Sequence, residues 1–191
     1  MQGEMAERIL KTAEALMVDR GYSAFSYADI ADAVKIRKPS IHHHFPTKAG
    51  LVVAVLKSYR KRLMEATEMI DSQIKNPWKR LEAYVQYWEG CIRDRTAPFC
   101  IAALLAAELP SLPEEVQAEV TLHFQTLSGW MERVLNEGVT AGVIRLQAPA
   151  ATEAQTLMAI VHGAMLSARA TGNCEVFQLV TSAALQRIAK R

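Results

Sequence analysis

The sequence has no run of about 18 apolar residues, so nothing in it reads as a membrane span. Its first residues lack the basic start and apolar stretch of a signal peptide, and the expectation is a cytoplasmic protein. Cysteine is scarce: Cys91, Cys100 and Cys174 are odd in number and never in C-x-x-C spacing, which argues against a disulfide framework or a structural zinc site. Seven prolines and nine glycines are too few for a collagen-like or proline-rich chain. Neither sign of charge dominates, with 22 Lys or Arg against 20 Asp or Glu. Strand signals are nearly absent, and no hairpin dipeptide separates alternating runs. What remains is a chain of 191 residues, half of them hydrophobic, with helical periodicity almost throughout.

The near-neutral total hides an asymmetry. Residues 1–62 carry 11 Lys or Arg and 6 Asp or Glu, while residues 63–191 carry 11 and 14. A basic first third on a mildly acidic remainder suits a segment that meets a polyanion.

Helices are expected as follows. The first covers about residues 4–20, with Ile9, Leu10, Ala13, Leu16 and Met17 on one face and Gly21 as a left-handed cap. Ser26 and Asp29 form a capping-box-like start for a second, which turns Ile30, Ala31 and Val34 inward and ends near Lys35. A short third begins at Lys38-Pro39 and ends near Phe45-Pro46, since proline fits a helix's first turn. Thr47 caps a long fourth, to about residue 72. Further helices are expected from Pro77 to about Arg93, from Pro98 to Leu109, from a second capping box at Ser111 and Glu114 to near Gly142, and over 150–171 and 174–190. The fold class is all-α: an N-terminal three-helix domain of residues 1–50, and a C-terminal helical domain of residues 51–191. The fourth helix joins them.

Residues 39–45 carry the chemistry. At about 100° per residue, Ile41, Phe45 and partly His44 share one side, and Pro39, Ser40, His42 and His43 the other. With the short turn Lys35–Lys38 this is the arithmetic of a helix-turn-helix, whose second helix enters the major groove of DNA. Ser40, His42 and His43 bring donors on short stems, while Arg37 and Lys38 add positive charge, Arg being able to grip guanine with two bonds. Thr47 and Lys48 open the next helix and offer a phosphate site, with Ser26 and Tyr27 on the other flank. Consecutive helix positions diverge, so His42, His43 and His44 cannot converge on one ion, and no metal is expected. No cofactor is expected either.

The stretch Ser26 to Leu51 resembles the DNA-binding signature of the TetR/AcrR family of bacterial transcription regulators. Ile30-Ala31, the His44-Phe45 pair and Lys48 with Leu51 fall at family spacing. The usual glycine of the turn is Lys35 here, the usual serine before the recognition helix is Arg37, a common glycine is Pro39 and the usual tyrosine is His42. The resemblance implies an all-α homodimer on a palindromic operator, most often a repressor that an unidentified small molecule releases. It places dimerisation in residues about 150–190, through an α-helical stripe of Ala154, Leu157, Met158, Val161, Ala164, Met165 and Ala168 and through Val176, Phe177, Val180, Ala184 and Ile188.

It also implies an effector pocket, for which the candidate walls are Tyr84, Tyr87, Trp88, Cys91, Phe99, Cys100, Leu104, Phe124, Trp130, His162, Met165 and Arg169. The run Phe99–Glu108 with Gly163–Arg169 resembles NemR-like members, in which the cysteine matching Cys100 responds to electrophiles. Arg169 would favour its thiolate if the two lie close. Two other classes stay in view. One is an enzyme using Cys100 with His162, although no G-x-S-x-G, phosphate loop or H-E-x-x-H occurs and no third orienting group is evident. The other is a helical protein-interaction module with no affinity for DNA.

Overall fold

Helical periodicity and its punctuation translate almost residue for residue into backbone. The computed structural model describes residues 2–96 and 99–190. Among these, nine α-helices follow in order: α1 (Gln2–Arg20), α2 (Tyr27–Val34), α3 (Lys38–His44), α4 (Lys48–Gln73), α5 (Pro77–Arg93), α6 (Ile101–Ala107), α7 (Glu114–Thr140), α8 (Ala150–Thr171) and α9 (Glu175–Ile188). No strand occurs among the described residues, and Ile144 and Ala189 make an isolated antiparallel bridge. No described helix is long and apolar enough to cross a membrane.

The stop and start signals act as their chemistry dictates. Gly21 ends α1 at φ +79° and Gly172 ends α8 at φ +65°, both in the left-handed region that glycine adopts without a Cβ clash. Ser26 and Asp29 form the full capping box on α2. The second box does not form. Ser111 lies in a 3-10 turn (Leu109–Ser111) and donates to the Glu108 carbonyl at 2.8 Å. Leu112 is held extended before Pro113, and α7 begins one residue later, on the Pro113 carbonyl. The helix expected from Pro98 starts at Ile101 instead; Pro98 itself lies outside the described residues.

Packing divides the chain into two units. The first comprises Met1–Arg62 with Cys100–His123; the second comprises Leu63–Phe99 with Phe124–Arg191. Both α4 and α7 therefore contribute to each unit. In the first, Ile9, Ala13, Met17, Ile30, Ile41, Leu51, Val52 and Leu105 are buried around α1. Arg60 of α4 and Glu119 of α7 form a mostly buried ion pair there. In the second, α8 lies along α9, and α9 meets α5. A buried Glu153 on α8 accepts from Arg187 on α9 at 2.6 Å and from the Gln147 amide at 3.2 Å. The end of α9 is tied back as well: the Arg145 amide donates to the Ile188 carbonyl and the Lys190 amide to the Val143 carbonyl.

One expectation changes here. The stripe Ala154, Leu157, Met158, Val161, Ala164, Met165 and Ala168 is buried within the chain, as are Phe177, Ala184 and Ile188. Periodicity identifies an apolar face but not what covers it, and here the chain covers its own. The large apolar groups left outward on α8 and α9 are Leu166, Leu179 and Val180, with Ile160 and Val176 half-buried.

Candidate nucleic-acid interface

α2 and α3 are short, so their placement depends on contacts beyond their own hydrogen bonds. The turn between them is made by Lys35, at φ +61° and ψ +46°, whose amide donates to the Ala31 carbonyl. The Lys35 side chain is exposed there. Arg8 of α1 donates to the Val34 carbonyl at 3.1 Å and so closes the end of α2. Pro39 occupies the first turn of α3, and fully buried Ile41 anchors it. Half-buried Phe45 and His44 complete the inner side. The outer side is as the periodicity predicts: Arg37, Lys38, Pro39, Ser40, His42 and His43 are all exposed.

The flanks differ from expectation. Tyr27 is buried, and its hydroxyl donates to the Phe45 carbonyl at 2.7 Å, which locks the end of α3 to the start of α2. Burial pushes that phenol up from its ordinary range. Tyr27 therefore serves the motif from within, in place of the phosphate contact expected of it. The Ser26 hydroxyl faces the Asp29 carboxylate at 2.6 Å, and this pairing holds the carboxyl below its usual range. Ser26 is thereby committed to the cap. Thr47 is exposed and its hydroxyl accepts from the Gly50 amide at 3.0 Å, which leaves its O–H to donate.

Lys48 folds inward. Its ammonium donates to the Phe25 carbonyl at 2.6 Å and stands 4.7 and 4.3 Å from the Tyr22 and Phe25 ring centroids. Burial pulls this lysine below its ordinary range, partly opposed by the charges of Glu108 and Asp29. Glu108, at the end of α6, accepts from the Tyr22 amide at 2.9 Å and from the amide and hydroxyl of Ser23 at 3.3 Å. The sequence reading missed both Arg8 and Glu108. No local pattern marks them, because each acts on backbone far away in sequence.

The effector candidates fall into separate groups. Cys100 is buried in the first unit with its sulfur 3.8 Å from Nε2 of His123, whose ring lies 5.2 Å from that of Tyr59. Burial raises the thiol, opposed by hydrogen bonds from the Ala103 backbone and the Tyr59 side chain. The imidazole beside Cys100 is thus His123 rather than His162, and Leu104 nearby in sequence is half-buried. In the second unit, Tyr84 and Trp130 pack at 5.7 Å between ring centroids, and Trp130 is tied to Asp71 through its indole N–H at 3.2 Å. Phe124 meets His162 at 5.3 Å, and Arg169 lies 5.7 Å from the Phe99 ring centroid. Nε2 of His162 is buried and has no hydrogen-bond partner among the described residues. Burial pushes this imidazole down to about 4. Trp88 and Met165 are buried, Cys91 is half-buried, and Tyr87 is 59 % exposed, which sets it outside any enclosed wall. Clefts of about 620 and 560 Å³ open along α7, beside Arg133 and Glu137, and along α9, beside Leu179 and Ser182; neither takes a residue of the candidate set. No group of three metal-binding side chains occurs among the described residues.

Comparison with known proteins gives concordant matches. Residues 9–55 match the family model described as bacterial regulatory proteins, tetR family. Residues 77–184 match the model described as tetracyclin repressor-like, C-terminal domain. A transcriptional regulator from Agrobacterium tumefaciens, of known structure, is 45 % identical, with both chains covered completely and a TM-score of 0.98. The transcriptional repressor NemR of Escherichia coli is 26 % identical over 88 % of this chain and 86 % of its own. The repressor KstR2 of Mycolicibacterium smegmatis is 29 % identical over 73 % of this chain and 67 % of its own.

Proposed function

The chain belongs to the TetR family of bacterial regulatory proteins, and from that premise we propose that it is a ligand-responsive transcriptional repressor. It grips a palindromic operator as a homodimer and lets go when a small apolar or electrophilic effector binds. The observation that carries this reading is α3: buried Ile41 on one side, with Arg37, Lys38, Ser40, His42 and His43 exposed on the other. An exposed side of this kind, basic and rich in donors, is suited to the phosphates and base edges of a duplex. Thr47 adds an exposed hydroxyl at the start of α4. Residues 1–50 form the DNA-binding domain and residues 51–191 the effector and dimerisation domain. The dimer forms through residues about 150–190, with Leu166, Val176, Leu179 and Val180 as its apolar contacts. A two-fold dimer reads a two-fold site. Selection of bound sequences from a random duplex pool therefore returns a palindrome; a protein-interaction module enriches nothing.

A second reading concerns the effector. Cys100 has an imidazole, His123, at 3.8 Å. That neighbour would take the thiol proton as an electrophile arrives. The burial that raises the thiol opposes this, so a non-covalent effector held by the second unit's aromatic groups is the leading reading. If Cys100→Ser is still released from its operator by an electrophile, the thiol reading fails.

A further inference from the structure

His42 is held in a way that makes its charge conditional. Its Nδ1 lies 3.4 Å from the Pro46 carbonyl oxygen, and its ring packs edge-on against the Tyr27 ring at 4.7 Å between centroids. Tyr27 is itself fixed by its bond to the Phe45 carbonyl. A carbonyl oxygen only accepts, so the proton of the neutral ring belongs on Nδ1. Nε2, which has no protein partner among the described residues, then presents a lone pair. Phosphate oxygens also only accept. A neutral His42 would meet a phosphate lone pair to lone pair, whereas the imidazolium would meet it with an N–H and a positive charge.

We infer that His42 meets the DNA backbone as an imidazolium, so that each recognition helix takes up a proton when the complex forms. This rests on the reading of α3 as the DNA-facing helix. The charged and titratable surroundings support it. On α3 and its preceding turn stand Lys35, Arg37, Lys38, His43 and His44, with no carboxylate. α2, packed against α3, carries Tyr27, Asp29 and Asp32. The Tyr27 phenol is kept neutral by burial, and Asp29 is engaged by Ser26 and by Arg20 at 3.3 Å. At the start of α4, Lys48 is turned onto the Phe25 carbonyl. No described carboxylate makes an ion pair with any of the three histidines. The anion that this reading pairs with the imidazolium is a DNA phosphate.

The test is binding of the full chain to a mixed-sequence duplex of about 30 base pairs, long enough for two half-sites a turn apart. Fluorescence anisotropy is read across a salt series at about pH 6 and pH 8, for wild type, His42→Gln and His42→Lys. Circular dichroism confirms that each variant is helical. Wild type binds about tenfold tighter at the lower pH, and its plot of log K against log salt steepens by about 0.9 for each His42 that reaches a phosphate. His42→Gln loses that steepening. His42→Lys has a slope as steep at pH 8 as at pH 6, and it decides the matter alone should the glutamine variant not fold. A wild-type slope that does not change with pH overturns the inference, as does undiminished pH dependence in His42→Gln. Binding with no pH effect leaves the DNA-binding reading standing. No complex with the duplex at either pH, even at low salt, brings down that reading too.

Discussion

Lys35 occupies a backbone conformation, φ +61°, that a Cβ resists by about 1 kcal/mol or more. Its side chain is exposed, so Lys35→Gly removes strain without removing packing. Stability should rise by up to about 1 kcal/mol, read as a higher urea midpoint at unchanged slope, because glycine's greater freedom in the unfolded chain offsets part of the gain. Lys35→Val should lower the midpoint, since a β-branched residue fits that region worse. His162 makes a pH prediction. Burial pushes it down to about 4, while an imidazole in the unfolded chain titrates near about 6.5. Between those values the unfolded chain binds more protons than the folded one, so stability is full above the upper value and falls as pH drops towards the lower. The loss is at most about 3 kcal/mol. His162→Leu should flatten this decline in thermal melts between pH 6.5 and 4.5. An unaltered decline would assign the loss to other groups.

At the scale of elements, α6 and the α1–α2 turn are joined by one carboxylate. Glu108 satisfies the amides of Tyr22 and Ser23, which directly follow the left-handed Gly21. Glu108→Ala leaves both donors without that acceptor, and a hydrogen bond to a charged group contributes about 1.5–3 kcal/mol. The expected result is faster amide exchange at Tyr22 and Ser23 and weaker operator binding, with α8 and α9 amides unchanged. Much of this layer was legible beforehand. Gly21, Pro39, Pro77 and Gly172 mark helix ends because their backbone limits are local, and the outward face of α3 followed from spacing alone. Three things were not legible. The Tyr27 hydroxyl and the Lys48 ammonium have the chemistry of phosphate ligands, but each turns inward to a carbonyl that only the folded chain places there. The Ser111 box failed because Pro113 fixes the start of α7. Cys100 drew its histidine from α7, a pairing that no sequence interval announces.

For the whole molecule, the outward apolar groups of α8 and α9 are the proposed dimer contacts. Leu179 is 73 % exposed, and Leu166 and Val180 accompany it. Leu179→Glu touches no intrachain core, so the helical spectrum should stay intact. Light scattering should show monomer in place of dimer, and operator affinity should fall by about tenfold or more as the two recognition helices lose their tether. A variant that remains dimeric would move the interface elsewhere. Spacing marked seven apolar positions on α8 as a buried face without telling what covers it, and that face is covered by the chain itself.

The tie at the end of α9 has its own consequence. Helix ends ordinarily fray, and their amides exchange with solvent first. Here Arg145 and Lys190 exchange backbone hydrogen bonds with Ile188 and Val143 around the Ile144–Ala189 bridge. The final turn cannot unwind by itself, because it must first release the segment after α7. Deuterium should therefore enter Arg145 and Lys190 together, as one cooperative opening rather than as gradual loosening from the helix end.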